Sequence, residues 1–186
     1  LNLLKKQPKL FETLKPNYQY SYSKKIISKY QKFDNIRIIG MGGSVLGTEA
    51  IYNFLKKKIK KKFTFVNNLN SNADYFKDKN INLNLIISKS GNTLETIANA
   101  NTLIKSKDSN IVITENKNSY LTDLAKKLKA EIFEHKNYVG GRYSVLSEVG
   151  MLPVELMNLN ENKFKQFNNL IKNKTFTNNL VNNVAA

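Results

Sequence analysis

The sequence predicts an α/β domain of three αβα layers around a parallel five-stranded sheet. Two observations carry this. From Asn35 to Leu159, short strand-like runs alternate with stretches at helical spacing, the order that builds a parallel sheet covered on both faces. The 186 residues, 41% hydrophobic and 24% charged, also suffice for one substantial core.

Each element follows from its pattern. Tyr20 to Phe33 spaces Tyr22, Ile26, Ile27 and Tyr30 as an amphipathic helix. Asn35 to Ile39 reads as the first strand. Ser44 to Lys57 sets Leu46, Ala50, Ile51, Phe54 and Leu55 on one helical face. Phe63 to Val66 is the second strand, and Asn72 to Lys77 a short helix. Leu83 to Ser88 is the third strand. Thr93 to Lys105 is a helix with Leu94, Ile97, Ala98 and Leu103 or Ile104 inward. Ile111 to Thr114, helix Leu121 to Lys129 and strand Glu131 to His135 complete the alternation. Ser147 to Leu159 reads as a helix interrupted by Pro153, and the tail from Asn162 as helical. The expected organisation is a helical segment over 1–34, the α/β domain over 35–159, and over 160–186 the start of a connection to a further domain. The chain opens on Leu1 and closes on "NNLVNNVAA" without a helix stop, which reads as a piece of a longer protein.

Composition excludes several chemistries. Zero cysteines remove disulfides, thiolate metal sites and cysteine nucleophiles, and His135 alone cannot make a multi-histidine centre. No apolar run reaches the roughly 18 residues of a membrane span, and the N-terminus lacks a signal-peptide pattern, so a cytoplasmic protein is expected. The net charge of +16 invites a nucleic-acid reading. Yet 28 of the 30 basic residues are Lys, beside 28 Asn, a general drift of surface composition. Base-reading surfaces lean on arginine forks. "KKKIKKK", Lys56 to Lys62, closes a helix where cations favour the macrodipole. No specific nucleic-acid partner is expected.

Right-handed crossovers put the strand C-terminal ends on one edge, where ligands of such sheets bind. Three loops leave it. "GMGGSVLG" is neither a dinucleotide fingerprint, since Val45 stands where a small residue is needed, nor a P-loop, since Thr48 replaces the lysine. It is a glycine turn that either cradles an anion or a sugar edge, or merely turns the chain. "SKSGNTLET" places Ser88, Ser90, Thr93 and Thr96 across a strand end and a helix start, with Gly91 free to turn. Hydroxyls and unpaired N–H groups at a helix N-terminus suit a phosphate, with Lys89 adding charge. "NYVGGRYSVLSEVG" sets Arg142 behind Gly140 and Gly141, a rigid fork of donors suited to a transient oxyanion.

In that order and spacing, the three loops resemble the phosphoglucose isomerase family over about Asn35 to Pro153. The first two are shared with the wider sugar isomerase (SIS) domain family. Val45 and Glu148 depart from the family pattern, Glu148 standing where a small residue or proline is usual. The resemblance implies an SIS-type fold and interconversion of glucose 6-phosphate and fructose 6-phosphate through an enediol(ate), with a sugar phosphate as substrate. It implies no metal or organic cofactor. It assigns Ser88, Ser90, Thr93 and the Lys89 N–H to the phosphate, Gly43, Ser44 and Gly141 to the sugar, Arg142 to the enediolate, and Glu95 to orienting a neighbour. The family's base and ring-opening histidine lie beyond the arginine loop, in a second SIS domain and the segment after it, so this chain alone is expected to show no turnover. His135 reads as a strand-end histidine. The resemblance further implies a homodimer for the complete protein. A phosphosugar-sensing SIS regulator, another phosphosugar isomerase and a basic nucleic-acid binder are the rival readings.

Overall fold

The computed structural model describes residues 8–15, 17–69, 83–166, 169 and 172–185. Its elements are a 3-10 turn Pro8–Leu14, helix α1 (Lys24–Ser28), strand β1 (Asn35–Gly40), helix α2 (Leu46–Leu55), β2 (Lys62–Val66), β3 (Leu83–Ile87), α3 (Leu94–Leu103), β4 (Ser109–Thr114), α4 (Tyr120–Leu128), β5 (Glu131–Glu134), α5 (Glu148–Leu156) and α6 (Lys174–Ala185). Further 3-10 turns span Gly42–Ser44, Gly141–Leu146 and Glu161–Lys165. The expected helix at Asn72 to Lys77 lies outside the described residues.

All five strands run parallel in the order β2-β1-β3-β4-β5. The inner strands are aliphatic on both faces because helices cover both. Ile36, Ile38, Leu85, Ile87, Ile111 and Ile113 meet α5 and the residues before β1. On the opposite face Ile39, Ile86 and Val112 meet Ala100 and Leu103 of α3 and Leu121 and Ala125 of α4. The chain goes from β1 outward to β2 and returns to β3, so the order reverses between β1 and β3. Such a switch point opens a crevice at the strand C-terminal ends.

One polar row crosses this aliphatic sheet. Arg37 of β1 lies level with Asn84 of β3, and Asn84 with Asn110 of β4. The Arg37 guanidinium donates to the Asn84 side chain and the Leu103 carbonyl, each at 3.1 Å. The Asn84 amide donates to Asp108 at 3.0 Å and to Asn110 at 2.9 Å. All four side chains are buried.

Several expectations are corrected. Only Lys24–Ser28 of the stretch Tyr20 to Phe33 is α-helical, capped by the Ser23 hydroxyl. Tyr18, Tyr20 and Tyr22 lie before the helix as an aromatic cluster: Tyr18 meets Tyr20 edge-on at 5.1 Å between centroids, Tyr20 stacks on Tyr22 at 4.9 Å, and the Tyr22 ring packs edge-on against Phe133. In α2 the buried side is Thr48, with Ile51 and Tyr52 packed on the core, while Phe54 is 88% exposed and Leu46 points to solvent. In α3 the buried side is Thr96, Asn99, Ala100 and Leu103, and Leu94 is 73% exposed. Of the lysine run, Lys56–Lys58 are exposed, but Lys61 is buried and donates to the backbone and side chain of Gln31 at 2.7 Å.

Pro153 does not interrupt its helix. It sits inside α5 and leaves the Val149 carbonyl without the N–H that would normally reach it. Thr48 of α2 donates its hydroxyl to that carbonyl at 3.2 Å, which explains the rotation of α2. Thr48→Val is expected to destabilise the fold by about 1–3 kcal/mol, the cost of an orphaned buried acceptor, whereas Thr48→Ser retains the donor. Urea unfolding of the two variants separates them.

Candidate active site

Gly40 ends β1 beside Ile87, the last residue of β3, so two loops start side by side across the switch point. A Cβ on Gly40 would stand 2.8 Å from the Ile87 carbonyl oxygen, which is why the strand ends can pair this closely. Met41 leads into the turn Gly42–Ser44, where Gly42 has φ +53°, and Val45, fully buried, opens α2.

The loop after β3 folds into a cluster of hydroxyls. Ser88 Oγ lies 2.8 Å from Thr93 Oγ1, and Ser90 Oγ lies 3.4 Å from both. Thr93 occupies the N-cap of α3 but makes no side-chain cap bond, so the first N–H groups of that helix lack an intrahelical partner. Gly91 has φ +69°, and a Cβ there would overlap the Ser119 hydroxyl and come within 2.9 Å of Thr114 Oγ1. This close approach lets Leu121 N–H donate to the Gly91 carbonyl and Tyr120 N–H to the Asn92 side chain. The loop is thus seated on the start of α4.

Lys89 points away from the hydroxyls. Its ammonium donates to the Asn137 carbonyl at 2.7 Å and stands 3.6 Å from Glu115. The lysine therefore joins the hydroxyl loop to the start of the arginine loop.

The arginine loop is the 3-10 turn Gly141–Leu146, clamped at three glycines. A Cβ on Gly43 would overlap the Gly141 carbonyl and come within 3.0 Å of Arg142 N; one on Gly47 would stand 2.7 Å from the Val145 side chain; one on Gly150 would overlap the Val145 carbonyl. Glycines of the first turn, of α2 and of α5 thus clear the path for one six-residue segment. The Arg142 side chain is exposed and makes no hydrogen bond or ion pair among the described residues. Glu95, in the first turn of α3, is half-buried and likewise makes none among them. Gly43, Ser44, Gly141 and Arg142 therefore share one interlocked surface, Ser88, Ser90 and Thr93 a second, and Lys89 braces the two.

His135 follows β5. Its backbone N–H donates to the Thr114 carbonyl at 2.8 Å, and its ring is buried beside the Lys136 carbonyl at 3.2 Å. Burial pushes its pKa below the usual imidazole range.

Glu148 has a local explanation. Fully buried in the first turn of α5, it accepts from Ser21 N–H at 2.9 Å and from the Tyr18 hydroxyl at 3.0 and 3.2 Å. It anchors the aromatic segment before α1 beneath the arginine loop. Burial pushes its carboxyl up, outweighing those hydrogen bonds and the nearby Lys136. A carboxyl that holds its proton more tightly folded than unfolded loses stability as pH rises from its unfolded to its folded pKa, and carries the full penalty above. Stability is expected to fall across that window, and Glu148→Gln to flatten the fall, read by urea denaturation from acid to neutral pH. Burial raises Glu155 in the same direction, so the decline is reduced, not abolished.

One residue of this surface escaped sequence reasoning. Ser144 places its hydroxyl between two of the loops, 3.1 Å from the Gly43 carbonyl and 2.7 Å from that of Gly141. The available signal was a serine three residues after a glycine, spacing that favours back-bonding to the chain.

A family model described as phosphoglucose isomerase matches residues 21–183. Over 161 residues the chain is 37% identical to a glucose-6-phosphate isomerase of Borreliella afzelii (strain PKo), covering 74% of this chain and 30% of that protein. The chain spans about a third of the length of the curated relatives it matches. Among solved structures, a hypothetical protein from Thermus thermophilus aligns with a TM-score of 0.73 at 22% identity, covering 88% of this chain and 44% of that one. Tagatose-6-phosphate ketose/aldose isomerase from Escherichia coli aligns with a TM-score of 0.57 at 18% identity, covering 87% and 45%. Both likenesses bear on the fold, the three-layer SIS architecture. No helix among the described residues is long and apolar enough to cross a membrane. By the extent of the family match, the chain belongs to the phosphoglucose isomerase family.

Proposed function

We propose that this chain supplies the phosphate cradle and the enediolate-stabilising arginine of an aldose-ketose isomerase acting on glucose 6-phosphate and fructose 6-phosphate. One observation carries the reading: three mutually braced loops at the switch point present a knot of hydroxyls, the N–H groups of a helix start, and a guanidinium without a partner among the described residues. Ser88, Ser90, Thr93 and the adjoining N–H groups receive the phosphate dianion, for which they are all donors. Gly43, Ser44 and Gly141 face the sugar at close backbone approach. Arg142 stabilises the oxyanion that develops as a proton moves between C2 and C1, and Glu95 orients a neighbour. The whole enzyme is read as a cytoplasmic homodimer, on family resemblance.

Titration of the isotopically labelled chain tests this. Fructose 6-phosphate is expected to shift the amides of 88–96, 42–44 and 141–142, while fructose leaves them in place. Ser90→Ala with Thr93→Val should remove the preference for the phosphorylated sugar. Equal responses to both sugars, or shifts confined to the lysine-rich end of α2, would overturn the reading.

A further inference from the structure

Ser144 holds a place that none of the roles above uses. Its side chain is fully buried. The Gly141 carbonyl it contacts belongs to its own 3-10 turn; the Gly43 carbonyl lies 101 residues away in sequence. Its own carbonyl accepts from Ser147 N–H at 3.0 Å and from the Ser147 hydroxyl at 2.7 Å, and Ser147 caps α5. Ser144 thus fastens the arginine turn to the glycine turn at one end and to a buried helix at the other.

The turn needs such a fastening. Where Gly43 meets Gly141 the contact is backbone against backbone, a wall that stops approach but does not prevent retreat. On the side a Gly141 Cβ would occupy, nothing lies within 4 Å. No described residue holds the Arg142 side chain. Its position is therefore set by its backbone, and the Ser144 hydroxyl supplies the attraction that draws that backbone onto Gly43.

Resting on the reading of Arg142 as the enediolate partner, we propose that Ser144 is a positioning residue: it touches no substrate, and holds the Gly141–Arg142 backbone where the guanidinium meets the reacting end of the sugar. Preorganised donors act only if they need not move during reaction, and a hydroxyl shared between two carbonyls of separate loops provides that restraint.

The test compares the chain with Ser144→Ala, using two probes by calorimetry. Inorganic phosphate reports the hydroxyl cradle. A five-carbon aldonic acid with a terminal phosphate reports the cradle and Arg142 together, because its carboxylate presents two oxygens as an enediolate does. Ser144→Ala is expected to leave phosphate affinity unchanged and to weaken the aldonate phosphate by about tenfold, the scale of one hydrogen bond. The backbone amide order parameter of Arg142 should fall from the rigid value of about 0.85 toward the flexible range below about 0.6. Equal weakening of both probes would overturn the proposal, since a merely structural defect spreads to the cradle. So would an unchanged order parameter. If the parent chain itself bound the aldonate phosphate no better than phosphate, the isomerase reading of Arg142 would fail instead. The order parameter alone would then decide whether Ser144 holds the turn.

Discussion

Gly43→Ala is expected to uncouple the arginine loop from the sheet edge, lowering turnover of the complete enzyme by about a hundredfold. The added Cβ overlaps the Gly141 carbonyl and crowds Arg142 N, and these are backbone atoms with no rotamer to change. The Gly141–Arg142 segment must retreat by about 1 Å, a misplacement of the size that costs about 10²-fold in rate. The Ser144 hydroxyl then loses the Gly43 carbonyl as well. Overpacking should also lower stability by about 1–3 kcal/mol. Gly141→Ala is the matched control for stability, because nothing lies within 4 Å of its added carbon. Thermal unfolding of the pair, with kinetics of Gly43→Ala, checks the account; a Gly43→Ala protein that melts and turns over like its parent would remove the interlock from the mechanism.

Arg142→Ala is expected to lower kcat of the complete enzyme by about 10²–10³, with little change in KM. The guanidinium is exposed and has no partner among the described residues, so its removal strands no buried group there and should leave the melting temperature unchanged. On the proposed reading its work falls on charge that develops only as the reaction proceeds, and kcat is where such a loss appears. Arg142→Lys keeps the charge but loses the planar fork, and should recover only part of the rate. Steady-state kinetics in both directions is the measurement. A rise in KM at constant kcat would move Arg142 from the enediolate to ground-state binding.

The strands were the most legible part of the sequence, because a strand buried on both faces is written as a short, mostly aliphatic run such as "LNLIIS". Helix faces were harder to read. Thr48, Thr96 and Asn99 are polar yet buried, and Thr48 turns inward for a carbonyl that Pro153 frees about a hundred residues later. The tyrosines at 18, 20 and 22 follow a period of two, but the isoleucines after them suggested one continuous helix. The loops declared their chemistry through composition: glycines, hydroxyls and a rare arginine. Their interlock did not show, because it joins Gly43 to Gly141 and Ser144, residues remote along the chain. Lys89 was read as charge near a phosphate, yet its ammonium is spent on Asn137 and Glu115, a direction no local pattern encodes.

The polar row through Arg37, Asn84 and Asn110 has an effect at the far end of the strands. Isoleucine-rich parallel neighbours could slide by two residues and still alternate correctly. Such a slide would set Arg37 opposite Ile86 in one direction and Asn84 opposite Ile39 in the other. Either way the guanidinium parts from its amide acceptor, a penalty of about 1.5–3 kcal/mol for one hydrogen bond to a charged group. The row therefore acts as a ratchet tooth that admits one alignment. Because Gly40 and Ile87 end their strands at equal height only in that alignment, a buried arginine at the bottom of the sheet sets the level of both loops at its top.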